Sequence, residues 1–560
     1  MWVTCPTETV PFVIGLADVL DVGAVTDGAV TTEYGYDGLK RRNEAGVSTL
    51  IGGGFDGNHG SRTDGTLPVL ISFIDTSPFH DHAGYCEDSS PCALGDGNGD
   101  GLADHINKRH LRNMTCTSTS CAENTCTLGN PAFCYTIETS PTHIDTILNV
   151  AVASIEQGQV PAIPGTNDRI ARSGASKEAE FYVYYATGST TLARAEAVAE
   201  AIDDSDTTAD IISLSLGFFP DQCDPTDDMA GLRALLPLVT NMGVLFVAAV
   251  GNQENESNTT ACTVDSTMGR PGLLSVGAVD SSNSSASLSQ LVRANYSAVG
   301  GMPIVVNGTT YQTSSLGLLS FGGDVTLSSG DGFQEFQDPS PDPSDVTTGT
   351  SFASPFVSGS LADVIDMRHS NHGSGDWVHN PRKLMAGVYV LADRYDGTAA
   401  SNRKVSGTSA LSGYGRFRVI KEGDTALLGS ANGWEAGVAS VVGSGDACVQ
   451  LFGTQLPSSV TQFKVAAFWE ETGNMSNAAD IQLKMRDACS CPLIGQKFGG
   501  TVKASDTTKN LTKMVNSFDM GGRCVQLQLD TQHNPSTRTV YYAYLYHSGT
   551  TQFYSGAHLR

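Results

Sequence analysis

The sequence predicts an α/β domain with a mostly parallel sheet and helices on both faces, followed by a smaller β-sandwich. Two observations lead there. Between residues 67 and 395, short and nearly all-apolar runs alternate with stretches of helical period, the pattern of strands in a parallel sheet joined by crossover helices. From about residue 430 helical patterns are scarce, and apolar residues alternate or cluster in short runs between turn residues.

The elements follow in chain order. Residues 67–74 are apolar almost throughout and read as a buried strand. Residues 143–154 carry apolar side chains at 144, 147, 148, 151 and 152, one face of a helix. A strand at 180–185, an Ala-rich helix at 192–202, a strand at 210–216 and a helix at 232–240 come next, then strands at 244–249 and 274–279. Helices are expected at 351–367 and 381–395, and sandwich strands at 460–468, 481–485, 524–529 and 539–546.

A chain of 560 residues exceeds what one compact core organises. The expected divisions are 1–60, which has no clear period, 61–428 for the α/β domain with a Cys- and Gly-rich insertion at 83–140, and 429–560 for the sandwich. Residues 10–20 are apolar but broken by Asp18 and preceded by no basic residue, a poor match to a secretory leader. Lys40-Arg-Arg42 reads as a basic surface turn rather than a processing site.

The charge is −26, from 33 Lys and Arg against 59 Asp and Glu, so the surface repels nucleic acid and anionic membranes. No run of about 20 apolar residues is present to span a bilayer. Of the 13 cysteines, Cys86, Cys92, Cys116, Cys121, Cys126 and Cys134 crowd the insertion, and Cys448, Cys489, Cys491 and Cys524 lie near the C-terminus. Cys223 and Cys262 stand between these groups, and Cys5 is the odd one. Clustered cysteines in loop-rich sequence suggest disulfides and an oxidising compartment. Glycosylation sequons at Asn113, Asn255, Asn258, Asn283, Asn295, Asn307, Asn474 and Asn510 are compatible with secretion. The expectation is a secreted, disulfide-bonded glycoprotein.

The most informative stretch is Thr348-Gly-Thr-Ser-Phe-Ala-Ser-Pro355, which sets Ser351 at the start of a small-residue helix. A helix N-terminus offers free N–H groups beside the hydroxyl, where negative charge is favoured. The string resembles the nucleophile motif of subtilisin-like serine proteases, G-T-S-x-A-x-P. Other segments are similar to that family in the same order. Ile212-Ser-Leu-Ser-Leu-Gly217 resembles its cleft strand, and Val247-Ala-Ala-Val-Gly-Asn252 its strand ending in the oxyanion-hole Asn. Ser275-Val-Gly-Ala-Val-Asp-Ser-Ser282 resembles the following strand, and Gly413-Tyr-Gly415 a turn before the last helix. The resemblance covers about residues 65–428.

The resemblance implies a subtilisin-like three-layer fold and an Asp-His-Ser order. Leu70-Ile-Ser-Phe-Ile-Asp-Thr76 fits the family's Asp strand and designates Asp75, although Ser77 stands where the pattern has Gly. His143 opens the helix expected of the base, but Ile144 and Asn149 replace both glycines of the His motif. Gly174 to Val183 then fits the turn and strand that follow. Asn58-His-Gly-Ser-Arg-Thr-Asp-Gly-Thr66 matches the His motif more literally and could pair with Asp21. It is set aside because a strand, not a helix, follows His59, and because His59 precedes the better Asp strand. His80 and His82 read as cleft-edge residues.

By that resemblance His143, oriented by Asp75, takes the Ser351 proton, and the Ser351 N–H and Asn252 amide hold the oxyanion. Ser215, Leu216, Gly217, Ala248, Ala249 and Gly251 are expected to pair with extended substrate as edge strands. The expected activity is endoproteolysis of polypeptides by a monomer. An inactive relative serving as a binding protein is the alternative, and Asn252 argues against the acid-active branch, which has Asp there.

Inside the insertion, Asp96, Asn98, Asp100 and Asp104 place oxygens at positions 1, 3, 5 and 9 of a loop with Gly at the sixth. That is the start of a calcium loop, although Asn107 rather than Glu holds the twelfth position. A structural Ca2+ is expected there.

Overall fold

The computed structural model describes, with short gaps, residues 41–77, 109–125, 143–152, 174–216, 235–252, 273–280, 291–326, 346–372, 380–392, 407–419 and 435–548. The first part runs α1 (Val47–Gly52), β1 (Leu70–Asp75), β2 (Arg109–Cys116), β3 (Cys121–Thr125), α2 (His143–Val152), β4 (Glu180–Gly188), α3 (Thr191–Ser205), β5 (Ile211–Leu214), β6 (Leu245–Ala249) and β7 (Leu274–Val279). It continues with β8 (Met302–Val306), β9 (Thr309–Thr313), β10 (Leu318–Phe321), β11 (Val325–Thr326), β12 (Val346–Thr347), α4 (Thr350–His372) and α5 (Pro381–Leu391).

Eight strands form one sheet in the order β10-β7-β6-β5-β1-β4-β2-β3. All neighbours are parallel except β2 and β3. β1 is buried along its whole length and shows why the layers form. Ile71 and Phe73 pack with Ile144, Leu148, Phe356 and Val357 of α2 and α4. Ile74 packs on the other face with Ala193, Ala197 and Ala201 of α3. A strand with both faces covered is largely apolar, and apart from Ser72 and the terminal Asp75 this one is.

Two local expectations change. Part of the insertion is sheet: β2 lies parallel to β4, and β3 closes the edge as a hairpin with Cys116 opposite Cys121. The sequence of β2, Arg-His-Leu-Arg-Asn-Met-Thr-Cys, hides the strand because it lacks the apolar run that marks the central strands of the sheet. Arg41 and Arg42 are helical and buried rather than a surface turn. The calcium residues Asp96, Asn98, Asp100 and Asp104, along with Gly217, His80, His82, Cys223 and Cys262, lie outside the described residues.

The C-terminal part has β13 (Glu435–Val441), β14 (Ala447–Phe452), β15 (Val460–Trp469), β16 (Asp480–Asp487), β17 (Thr501–Asp506), β18 (Thr512–Ser517), β19 (Val525–His533) and β20 (Arg538–Ser548). They form two four-stranded antiparallel sheets, β13-β20-β15-β18 and β14-β19-β16-β17. Disulfides join Cys448 to Cys491 and Cys489 to Cys524. The buried core runs without a break from the α/β part into these sheets. Tyr389 of α5 stacks on Tyr414 with ring centroids 4.1 Å apart and meets Phe468 of β15 edge-on. The Tyr414 hydroxyl donates to the Ala467 carbonyl at 2.6 Å, and Lys464 donates to the carbonyl of Ala392, which ends α5. The sequon residue Asn510 is committed at this junction, its amide donating to the Thr408 hydroxyl at 2.9 Å, whereas Asn295 is exposed.

Candidate active site

Parallel sheets leave a crevice at the carboxyl ends of their strands, where the chain turns into the next helix. Asp75 ends β1, Asn252 follows the end of β6, and Ser351 is the second residue of α4, which packs across β5, β6 and β7.

Asp75 is almost fully buried, 1% exposed, and its Oδ2 lies 2.7 Å from His143 Nδ1. Its Oδ1 accepts from the Ser77 N–H at 2.8 Å and from the Ser77 hydroxyl at 2.7 Å. The same hydroxyl accepts from the Ile144 N–H at 2.9 Å. Burial pulls the His143 imidazole toward lower pKa, but the charge of Asp75 and the hydrogen bond to it together outweigh burial and leave it raised. With Nδ1 directed to the carboxylate, Nε2 is the nitrogen left to take a proton. The ring lies against Phe352, with centroids 5.7 Å apart, which brings the imidazole beside the first turn of α4.

That turn is fixed from the sheet side. Pro355 has no N–H to bond the Ser351 carbonyl four residues back, and the Ser215 hydroxyl supplies the missing donor at 2.9 Å. In return the Ser351 hydroxyl donates to the Ser215 carbonyl at 3.1 Å. Asn252 is exposed, and its Oδ1 accepts from both the N–H and the hydroxyl of Thr350, each at 2.8 Å. Its Nδ2 is therefore the free end of the amide. The helices that carry His143 and Ser351 also meet closely: a Cβ on Gly359 would lie 2.3 Å from the Ala151 carbonyl oxygen.

The expected substrate-pairing strands need correction. β6 is an interior strand, paired with β5 through Ala248 and with β7 through Ala248 and Ala249, and both residues are buried. The Gly251 carbonyl accepts from Ala298. Ala248 and Ala249 are thus sheet interior, not an edge. Ser215 and Leu216 lie past the end of β5, with the Ser215 carbonyl facing Ser351.

His59 is elsewhere. Its Nδ1 lies 3.9 Å from Asp366, which sits roughly four turns, about 22 Å, along α4 from Ser351. Ser77 and Thr350 are the contributors that motif reading passed over. A hydroxyl two residues past the strand-ending Asp was the available signal for Ser77. Among the described residues no group of three or more His, Cys, Asp or Glu is arranged to hold a metal ion.

Residues 160–415 match the profile of the subtilase family, peptidase S8. Asn252 and Ser351 fall inside the match; Asp75 and His143 fall before it. No curated protein matches the chain. Among solved structures, the MycP3 protease of the type VII (ESX-3) secretion system is 17% identical, with a TM-score of 0.39, over 71% of this chain and 89% of that one. The epidermin leader peptide processing serine protease of Staphylococcus aureus is 16% identical, with a TM-score of 0.38, over 70% of this chain and 82% of that one. A cold adapted subtilisin-like serine proteinase is 16% identical, with a TM-score of 0.34, over 59% of this chain and 84% of that one.

Proposed function

We propose that this chain, whose residues 160–415 match the subtilase family, is a secreted serine endopeptidase acting through Asp75, His143 and Ser351. The observation that carries the reading is the 2.7 Å contact between Asp75 and His143, 68 residues apart in sequence and next to the first turn of the helix that carries Ser351.

In the proposed reaction the Ser351 hydroxyl turns from the Ser215 carbonyl to His143 Nε2 as substrate enters. His143 takes its proton while Ser351 Oγ attacks the scissile carbonyl. Negative charge develops on the carbonyl oxygen, and the Ser351 N–H and Asn252 Nδ2 stabilise it. The imidazolium gives its proton to the leaving amine, and an acyl-enzyme remains. Water, deprotonated by His143, attacks the acyl carbon, and Ser351 leaves with the returned proton. Asp75 stabilises the imidazolium in both halves and keeps the proton of the neutral ring on Nδ1.

The two disulfides support an oxidising location for the mature chain. No described helix is long and apolar enough to cross a membrane. The Ca2+ loop at Asp96, Asn98, Asp100 and Asp104 belongs to the proposal on its sequence pattern. An alkyl fluorophosphonate tests the reading: the wild-type chain should be labelled at Ser351, and the Ser351→Ala chain should not. A wild-type chain that resists labelling at neutral pH would overturn it.

A further inference from the structure

We propose that Ser77 is a positioning residue for the base, closing a hydrogen-bonded ring that ties the Asp75 carboxylate to the first turn of the helix carrying His143. The inference rests on the endopeptidase reading and concerns two positions, Ser77 and Ile144, at which this chain departs from the motifs it otherwise resembles.

The ring has four links. Asp75 Oδ2 meets His143 Nδ1 at 2.7 Å, and the peptide bond joins His143 to Ile144. The Ile144 N–H donates to Ser77 Oγ at 2.9 Å, and Ser77 Oγ donates to Asp75 Oδ1 at 2.7 Å. A hydroxyl has one proton to give and two lone pairs to receive with, so one side chain serves both ends. The first N–H groups of a helix have no partner within it, and α2 begins at His143, so the Ile144 N–H is one of these. Ser77 caps α2 from another segment of the chain.

The carboxylate is fixed by the same contacts. The Ser77 N–H also donates to Oδ1, at 2.8 Å, a local turn that any residue with an N–H makes. The hydroxyl is what distinguishes serine. It gives Oδ1 a second donor, leaves Oδ2 for the imidazole, and stops the carboxylate from rotating. Ile144 anchors the other side, with its side chain fully buried in the core between β1 and α4. The imidazole cannot move relative to the carboxylate without breaking a link in the ring.

Three variants separate the hydroxyl from the turn. Ser77→Gly and Ser77→Ala keep the N–H and lose the hydroxyl, while Ser77→Thr keeps both. Labelling of Ser351 by the fluorophosphonate, resolved into the rate at saturation and the half-saturating concentration, should slow roughly ten- to hundred-fold in the Gly and Ala variants. The half-saturating concentration should stay within about two-fold, and Ser77→Thr should recover most of the rate. The low-field proton resonance of His143 Nδ1 should weaken in Ser77→Ala and persist in Ser77→Thr. Wild-type rates in the Gly and Ala variants would overturn the proposal, as would a Thr variant no better than Ala. If even the wild-type chain fails to label, the protease reading falls. The resonance then decides the ring alone: its loss in Ser77→Ala upholds the positioning role, and its persistence refutes it.

Discussion

The side-chain oxygen of Asn252 is held by both donors of Thr350, its N–H and its hydroxyl, at 2.8 Å each. An amide with its oxygen so fixed can present only its nitrogen to the crevice. Asn252→Ala is expected to lower kcat about a hundred- to a thousand-fold with little change in KM. Thr350→Val keeps one of the two donors and should cost less. Steady-state kinetics on a peptide substrate give both, and equal kcat in wild type and Asn252→Ala would remove the oxyanion role.

Ser351→Ala and His143→Ala should each abolish hydrolysis to a similar extent, because nucleophile and base act as one unit. Loss of either member of such a unit costs about a million-fold in kcat. His59→Ala should retain wild-type kcat, since His59 lies beside Asp366, far along α4 from the nucleophile. Active-site labelling of the three variants ranks them, and loss of activity on changing His59 rather than His143 would reassign the base.

Gly359→Ala should harm both stability and turnover. The added methyl would meet the Ala151 carbonyl oxygen at 2.3 Å, and that backbone cannot step aside without moving α2. Overpacking of this kind costs about 1–3 kcal/mol. Since α2 begins at His143 and α4 carries Ser351, kcat should fall as well. Urea unfolding together with kcat measures both, and a variant unchanged in each would show that the helices have room to spare.

Asp210 makes stability depend on pH. Burial raises its carboxyl to about 6, although the N–H groups of Leu70 and Arg62 offset part of the effect. The folded chain therefore holds this proton to higher pH than the unfolded chain. Its contribution is fully present below about pH 4 and is lost as pH rises toward 6, by roughly 3 kcal/mol. Asp210→Asn removes the titration but leaves one of the two N–H groups facing an NH2. The stability of wild type relative to this variant should decline between pH 4 and 7. A difference that stays level with pH would exclude Asp210 as the titrating group.

Calcium should protect the chain. The segment at 83–140 is polar and Gly-rich in sequence, and it carries the proposed ligands Asp96, Asp100 and Asp104 in a protein of charge −26. Chelation should lower Tm and speed self-digestion, and Asp100→Ala should do the same in the presence of calcium. Identical melting in millimolar calcium and in chelator would retire the ion.

What could be read in advance followed burial. β1, β6 and β7 are covered on both faces, so their apolar runs were unmistakable, and α2 showed its buried face in residues 144, 147, 148, 151 and 152. β2 and β3 escaped because both are polar in sequence, β3 at the sheet edge and β2 next to it. The β8–β9 hairpin escaped too, although Asn307-Gly308, with Gly308 at φ 76°, is a strong hairpin signal. At the site the motifs named Asp75, His143, Asn252 and Ser351, whereas the contacts of Ser77 and Thr350 with Asp75 and Asn252 showed in the sequence only as a departure from one motif and an unassigned member of another. Substrate pairing by Ala248 and Ala249 was misjudged because sequence alone did not reveal that β6 has neighbours on both sides.

The stack of Tyr389 on Tyr414, sealed by Phe468, bears on how a protease outlives its own kind. Neighbouring copies are the nearest available substrates, and cleavage needs a stretch of backbone to open and extend into a crevice. Where two parts share one core, neither can loosen alone, because parting them bares large aromatic surfaces on both. Opening is then rare and global. The sandwich, which supplies none of the proposed catalytic residues, would set the working lifetime of the chain, and that lifetime is governed by a rate of unfolding rather than by an equilibrium.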